Sequence, residues 1–290
     1  MIEIKNLTKV FGRKHALDDV SFTVEKGEIV GFLGPNGAGK STAMNIITGY
    51  LSSTSGTVKV AGIDVFEDPD EAKKLIGFLP EQPPLYQDMT VEKYLEFIYK
   101  LKKVKLSMKE HIKEICEMVQ IADVSERIIK HLSKGYKQRV GIAQALIGYP
   151  PVLILDEPTS GLDPAQIIEI RKLIRDLGKK HTIILSSHVL SEVQAVCDKI
   201  LVINHGKIVA DGETESLTKL GSETRKIRLV AEGREQNLYS VLKGVDRVTE
   251  VKKMGEAEKG CYEFIIESTA DVRRAVSKAV ARTDGIILLM

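Results

Sequence analysis

Apolar and polar residues alternate along Ile2-Glu3-Ile4-Lys5-Asn6-Leu7 and along Val20-Ser21-Phe22-Thr23-Val24, and that period of two predicts strands. Residues 10–17, between them, read as a loop carrying one exposed aromatic, Phe11. Short strands are predicted again at 28–33, 56–60, 63–65 and 76–79. The pattern then lengthens to a helical period. Residues 91–101 set Tyr94, Leu95, Ile98 and Leu101 on one stripe, and 108–121 set Ile112, Ile115, Met118 and Val119 on another. A further helix opens at Ser133 and ends at Gly148-Tyr149-Pro150-Pro151. Val152-Leu153-Ile154-Leu155 and Thr182-Ile183-Ile184-Leu185 are nearly unbroken aliphatic runs, the pattern of strands buried on both faces. Helices are expected at 165–177 and 189–197, then strands at 199–203 and 207–210 joined by the turn Asn204-His205-Gly206.

Residues 212–223 are polar and read as a helix plus linker, which divides the chain into domains at 1–217 and 218–290. The second stretch runs strand 226–230, helix 234–242, strand 247–251, strand 260–266, helix 270–281 and strand 286–289. The order β-α-β-β-α-β is the ferredoxin-like α+β arrangement. No catalytic constellation lies in it, so its expected role is packing or dimer stabilisation, with ligand sensing as the alternative. The chain stops on an apolar strand, so a further C-terminal segment is left open.

Composition narrows the class. A chain of 290 residues, 43% hydrophobic and 28% charged, fits one large domain and a smaller one. A net charge of +2 supplies no field for nucleic acid, so no such partner is expected. No apolar run approaches the ~18–20 residues that span a bilayer, and the N-terminus lacks the pattern of a signal peptide. Cys116, Cys197 and Cys261 are odd in number and without CxxC spacing, so they read as reduced thiols of a cytosolic protein.

The chemistry concentrates in a few places. Gly34-Pro35-Asn36-Gly37-Ala38-Gly39-Lys40-Ser41-Thr42 fits G-x-x-x-x-G-K-[ST], with a predicted strand before it and a helix after it. Glycines let successive N–H groups curl around one anion, and the helix N-terminus adds its free donors and dipole. Lys40 is then placed for the β- and γ-phosphates of a nucleotide, and the Ser41 hydroxyl for Mg²⁺. Asp156 and Glu157 end a buried strand, where two carboxylates need compensation that Mg²⁺ supplies. Asp156 is the metal-side acid, and Glu157 orients or deprotonates a water. Gln82, in a proline-held loop after strand 76–79, and His188, at the tip of strand 182–187, share the edge where such sheets bind ligands. His188 reads alternatively as a helix cap. Ser133 is an N-cap, or with the Gly135 amide an anion site, and Phe11 either stacks on adenine or packs as a satellite core contact.

In this order the motifs resemble the ATP-binding cassette (ABC) ATPases over residues 1–217. The match takes in Phe11, the 34–42 loop, Gln82, Leu132-Ser133-Lys134-Gly135-Tyr136, Asp156-Glu157, Ser160-Gly161-Leu162-Asp163 and His188. One departure stands out: the family's usual Leu-Ser-Gly-Gly-Gln has Lys134 and Tyr136 in place of a glycine and the glutamine, while Ser133 and Gly135 are kept. The resemblance implies a P-loop NTPase fold with a RecA-like core, an antiparallel β subdomain and an α-helical subdomain. It implies ATP and Mg²⁺ as ligands, with Gln82 also at the metal and Asp163 also at the nucleotide. Its partners would be a membrane permease and a second cassette, itself or a paralogue, docked head to tail on the inner face of the membrane. An exporter of the bacterial multidrug or gliding-motility type is expected. The alternatives are a cassette ATPase acting on nucleic acid or ribosomes and, more remotely, a small-molecule kinase.

Overall fold

The computed structural model describes residues 1–214, 225–268 and 270–290. It divides into two compact units, Met1–Thr214 and Glu215–Met290. In the first, β1 (Ile2–Phe11), β2 (Lys14–Val24), β4 (Ser55–Val60) and β5 (Ile63–Asp64) form an antiparallel sheet in the order β2-β1-β4-β5. A second sheet runs β10-β9-β3-β8-β7-β6, built from β3 (Ile29–Leu33), β6 (Ile76–Leu79), β7 (Val152–Leu155), β8 (Thr182–Ser187), β9 (Lys199–Asn204) and β10 (Lys207–Glu213). Its strands are parallel except β10, which returns as a hairpin on β9. Every residue of β7 and β8 is buried, as parallel strands covered on both faces must be. One apolar core joins the two sheets, with Ile2, Ile4, Phe22, Phe32, Met44, Ile154 and Leu201 among its members.

Helices α1 (Lys40–Ile47), α2 (Pro69–Lys74), α6 (Pro164–Gly178) and α7 (Leu190–Gln194) connect these strands, and α3 (Val91–Leu101), α4 (Met108–Met118) and α5 (Lys134–Leu146) fall between β6 and β7. Helix α3 is capped by Thr90 and buries Val91, Tyr94, Leu95, Ile98 and Tyr99. Leu101, expected on that stripe, is 66% exposed at the helix end, where the packing partner has run out. Among the described residues no helix is long and apolar enough to cross a membrane.

Three expectations are corrected. The loop read at 10–17 is mostly strand: β1 reaches Phe11, β2 starts at Lys14, and only Gly12 and Arg13 turn between them. Register shifts after Ile4, Leu7 and Lys9 break the alternation there, which hid the strands in the sequence. Helix α2 was not foreseen, because it buries only Ala72 and carries no apolar stripe. Gly212 and Glu213 close β10 and are not helical. The rest of the helix-plus-linker reading, with its 217/218 boundary, lies outside the described residues.

In the second unit β11 (Arg225–Glu232), α8 (Glu235–Lys243), β12 (Val248–Glu258), β13 (Cys261–Ser268), α9 (Arg273–Ala281) and β14 (Ile286–Leu289) follow in the expected order. The sheet runs β12-β13-β11-β14, wholly antiparallel. Its core includes Leu229, Leu238, Leu242, Phe264, Ile266, Val276 and Val280. All three cysteines are free and buried.

Two buried histidines make the fold acid-sensitive. His111 Nε2 accepts the Gly148 N–H at 2.9 Å just past α5, and its ring meets Tyr149 edge-on at 4.5 Å. His181 Nδ1 donates to the Pro150 carbonyl at 2.8 Å. Burial holds both below the ordinary value of 6.5; at His111 Glu114 opposes this and Lys102 adds to it, and at His181 the Pro150 bond opposes and Lys180 adds. Each is therefore neutral when folded and easier to protonate when unfolded. Their contribution is complete above pH 6.5 and is lost as the pH falls below it. The urea midpoint should drop between about pH 7 and pH 5, and less steeply in His111→Gln, whose amide oxygen keeps an acceptor for Gly148. Parallel slopes for the two proteins would remove His111 as a source of the acid sensitivity.

Candidate functional site

The site exists because β3, β8 and β7 lie side by side. Leu33 pairs with Ser187 and Leu155 with Leu185, so the residues after all three strands emerge at one edge. After β3 the chain turns through the phosphate loop. Gly37 and Gly39 have φ of +77° and +115°, and a Cβ on Gly39 would stand 2.6 Å from the Ala16 carbonyl oxygen, so only glycine fits there. The α1 ladder begins with Ala43 N–H donating to Gly39 O at 2.9 Å, which leaves the preceding helical amides as donors for a ligand. The first turn of α1 holds no acidic residue to compete with an anion.

Lys40 is buried, and its Nζ donates to Gly34 O at 2.7 Å and Pro35 O at 3.4 Å while standing 3.4 Å from Glu157 Oε1. The other Glu157 oxygen lies 3.0 Å from His188 Nδ1. An ionised carboxylate only accepts, so the imidazole is the donor. Glu157 itself has φ +47°, a left-handed backbone that a glutamate adopts only when its surroundings impose it. Ser186 imposes it in part. Its Oγ accepts the Glu157 N–H at 2.8 Å and donates to Asp156 Oδ1 at 2.5 Å. Below these, Glu192 Oε2 accepts from Thr159 Oγ1 at 2.7 Å and Ser187 Oγ at 3.0 Å, which ties the loop after β7 to the end of β8.

The resulting cavity, about 470 Å³, is lined by Asn36, Gly37, Gly39, Lys40, Ser41 and Thr42 on one side. Glu157, Ser160 and His188 line another part, and Phe11 with Lys14 another. Phe11 is 49% exposed, with the Lys9 ammonium 5.1 Å from its ring centroid. The ring is therefore open to solvent and is not packed as a core contact. For a divalent cation, no cluster of three His, Cys, Asp or Glu is found among the described residues. The oxygen donors that line the cavity include the Ser41 hydroxyl and the Glu81 and Glu157 carboxylates, while Asp156 is buried behind it, its Oδ1 bonded to Ser186. Oxygen donors that few, completed by water and phosphate, suit Mg²⁺ better than an ion needing a full protein cage.

Not every expected residue converges here. Ser133, Gly135 and Asp163 do not line this cavity. Ser133 caps α5 by accepting the Tyr136 N–H at 3.3 Å, and Asp163 caps α6 by accepting the Gln166 N–H at 3.0 Å. Gln82 is also elsewhere. It lines a separate cavity of about 720 Å³ with Tyr50, Lys73, Phe78, Lys102 and Gln144, whereas its neighbour Glu81 lines the phosphate-loop cavity. The structure thus does not bring Gln82 to the phosphate-loop cavity, because successive residues of its loop line different cavities. Ser160, part of the 160–163 motif quoted from the sequence, does line the cavity, whereas Ser186 and Lys14 were not singled out. Only Ser186 left a signal, since it and Ser187 are the two polar residues closing an otherwise aliphatic buried strand.

Comparison with known proteins gives a family, relatives and solved structures. The model of the ABC transporter family fits residues 17–160. The bacitracin transport ATP-binding protein BcrA of Bacillus licheniformis is 38% identical over 221 residues, 76% of this chain and 72% of its own. The ABC transporter ATP-binding protein YcbN of Bacillus subtilis is 34% identical over 286 residues, 98% of this chain and 90% of its own. Among solved structures, a dimeric ATP-binding cassette in a post-hydrolysis state, bound to ADP and Pi, superposes with a TM-score of 0.67 at 28% identity, over 74% of this chain and 99% of that one.

Ser186→Ala tests the local geometry. It leaves the Glu157 amide and the Asp156 carboxylate each short of a buried partner, and should cost about 1–3 kcal/mol of stability. Phosphate release from ATP should fall about tenfold or more, since the Glu157 carboxylate loses its set direction, while nucleotide affinity changes little. Unchanged turnover would show that the Ser186 bonds to the Glu157 amide and the Asp156 carboxylate do not set the catalytic geometry.

Proposed function

The chain belongs to the ABC transporter family, as an ATP-binding subunit that hydrolyses ATP, and from that premise we propose that two such cassettes close head to tail on two ATP molecules to drive an exporter-type permease. The division of the site carries this reading. Lys40, Ser41, Glu157 and His188 share a cavity, while the capped N-terminus of α5, with Ser133 and Gly135, lies off it. A chain that holds a phosphate cradle and presents a second anion-binding helix end away from it is half of a shared site. In the closed pair, Ser133 and Gly135 of one cassette address the γ-phosphate held by Lys40 of the other, and Asp163 belongs to the same interface.

Each residue then has a stated task. The loop amides and Lys40 bind the β- and γ-phosphates, and Phe11 stacks on the adenine. Ser41 and Asp156 would hold Mg²⁺, which would supply charge neutralisation at the phosphate oxygens. The triphosphate competes with Glu157 for the Lys40 ammonium, and the carboxylate so released takes a proton from the attacking water. His188 donates to Glu157 and keeps it oriented. Loss of phosphate removes the charge that the two half-sites share, and the pair opens.

The cavity around Gln82 suits the permease. Two lysines, Lys73 and Lys102, line it with no carboxylate, over apolar Ile76 and Phe78. Tyr50, Tyr86 and Phe97 are exposed at 84%, 53% and 37%. A short cytoplasmic segment carrying an apolar residue beside an acid fits such a surface. On this reading the chain sits on the inner face of the membrane through its partner, with residues 218–290 as an accessory domain.

The test is the solution mass of Glu157→Gln by size-exclusion light scattering, with and without MgATP. Doubling of the mass with nucleotide is expected, alongside a fall in steady-state turnover of about 10²-fold or more. A protein that binds ATP yet stays monomeric would overturn nucleotide-driven pairing, and unchanged turnover would remove Glu157 as the base.

A further inference from the structure

The signature-like segment departs from the usual pattern at Lys134 and Tyr136, and both side chains are engaged inside the chain. Tyr136 OH donates to Asp123 Oδ2 at 2.8 Å, in the 3-10 turn Ala122–Val124. That bond raises the phenol pKa above its ordinary value. Lys134 lies over the 160–163 turn: a Cβ on Gly161, whose φ is +66°, would stand 2.0 Å from Lys134 Nζ. Between them, Gly135 is backed by the Gln166 carboxamide of α6, 2.8 Å from where its Cβ would be. Lys137 Nζ donates to the Lys130 carbonyl at 3.2 Å.

Tyr136 and Lys137 are thus bonded to other elements, while Lys134 and Gly135 abut the Gly161 turn and Gln166, directly behind an exposed serine that caps its helix with a 3.3 Å bond. A lysine at the first position of α5 is disfavoured by the helix dipole, and the first turn contains no acidic residue to offset it. Its placement is explained by the turn it covers. We propose that Tyr136 and Lys134 are positioning residues that clamp the N-terminus of α5: Tyr136 to Asp123, Lys134 to the Gly161 turn. The clamp sets the direction in which Ser133 meets the partner cassette's ATP, and it rests on the shared-site reading above. Tyr136 then acts through Asp123 and not on the nucleotide sugar, where the family's glutamine would be expected. Through Lys134 the Ser133 end is joined to the turn whose Ser160 lines the chain's own phosphate cavity, so occupancy of one site is felt at the other.

Asp123 separates this from a direct contact, since it sits behind Tyr136 on a different element. In the full-length protein, Tyr136→Phe and Asp123→Ala should each lower kcat about fivefold, the loss expected from one net hydrogen bond. The double variant should be no worse than either single one, because both break the same link, and Asp123→Asn, whose amide oxygen still accepts from the phenol, should lose less than Asp123→Ala. The affinity of the monomer for a fluorescent ATP analogue and the melting temperature should stay near those of the parent. Lys134→Ala should lower the Hill coefficient for ATP hydrolysis, and Lys134→Arg should restore it. A Tyr136→Phe protein with altered nucleotide affinity beside a silent Asp123→Ala would overturn the clamp, as would additive losses. Pairing of Glu157→Gln reports on the shared site alone. A cassette that pairs with ATP but is indifferent to Tyr136→Phe and Asp123→Ala refutes the clamp and leaves the shared site standing.

Discussion

Parallel pairing of β3, β8 and β7 is the constraint on which the catalytic geometry depends. The register puts Leu33 beside Ser187 and Leu155 beside Leu185, so the phosphate loop, the Asp156-Glu157 end and His188 begin at nearly the same height. Aliphatic residues on both faces fix that register, because a slip by one residue would move the polar strand ends into the core. The Gly34 amide donates to the Ser187 carbonyl at 3.3 Å and the Asp156 amide to the Leu79 carbonyl at 2.8 Å, which carries the pairing past the last regular residues.

At this edge the structure holds a buried cation and a buried carboxylate in contact, Lys40 and Glu157. Desolvating both is costly, and a pair of this kind contributes little net stability on its own. Its value is functional. The ammonium is matched by two carbonyls and one carboxylate, all of which a phosphate can replace, and the carboxylate has a second partner in His188. Binding a triphosphate therefore rearranges existing charges and does not require a new one to be buried. Ser186 limits the rearrangement by keeping the Glu157 backbone in its left-handed turn.

The second unit is built on other terms. Its helices cover one face of the sheet, and on the other face Arg228 pairs with Glu263, and Lys226 and Lys252 with Glu267. Exposed pairs of this sort add little energy, so the apolar core around Leu229, Phe264 and Val276 holds the unit together.

Local chemistry was legible in the sequence wherever the residue type decides the conformation or the reaction. Gly37, Gly39 and Lys40 announced an anion cradle, the aliphatic run before Asp156 announced a buried strand, and the period changes after residue 225 announced β-α-β-β-α-β. Where bulges disturbed the alternation, as along β1 and β2, or where a helix buried only Ala72, the pattern carried no signal. The sequence also could not show that Gln82 and Glu81 line different cavities, that Ser186 joins the Asp156 carboxylate to the Glu157 amide, or that Tyr136 bonds to Asp123. Those are distances between residues far apart in the chain or choices of side-chain direction. They are decided by strand order, register and packing, which no single stretch of sequence contains.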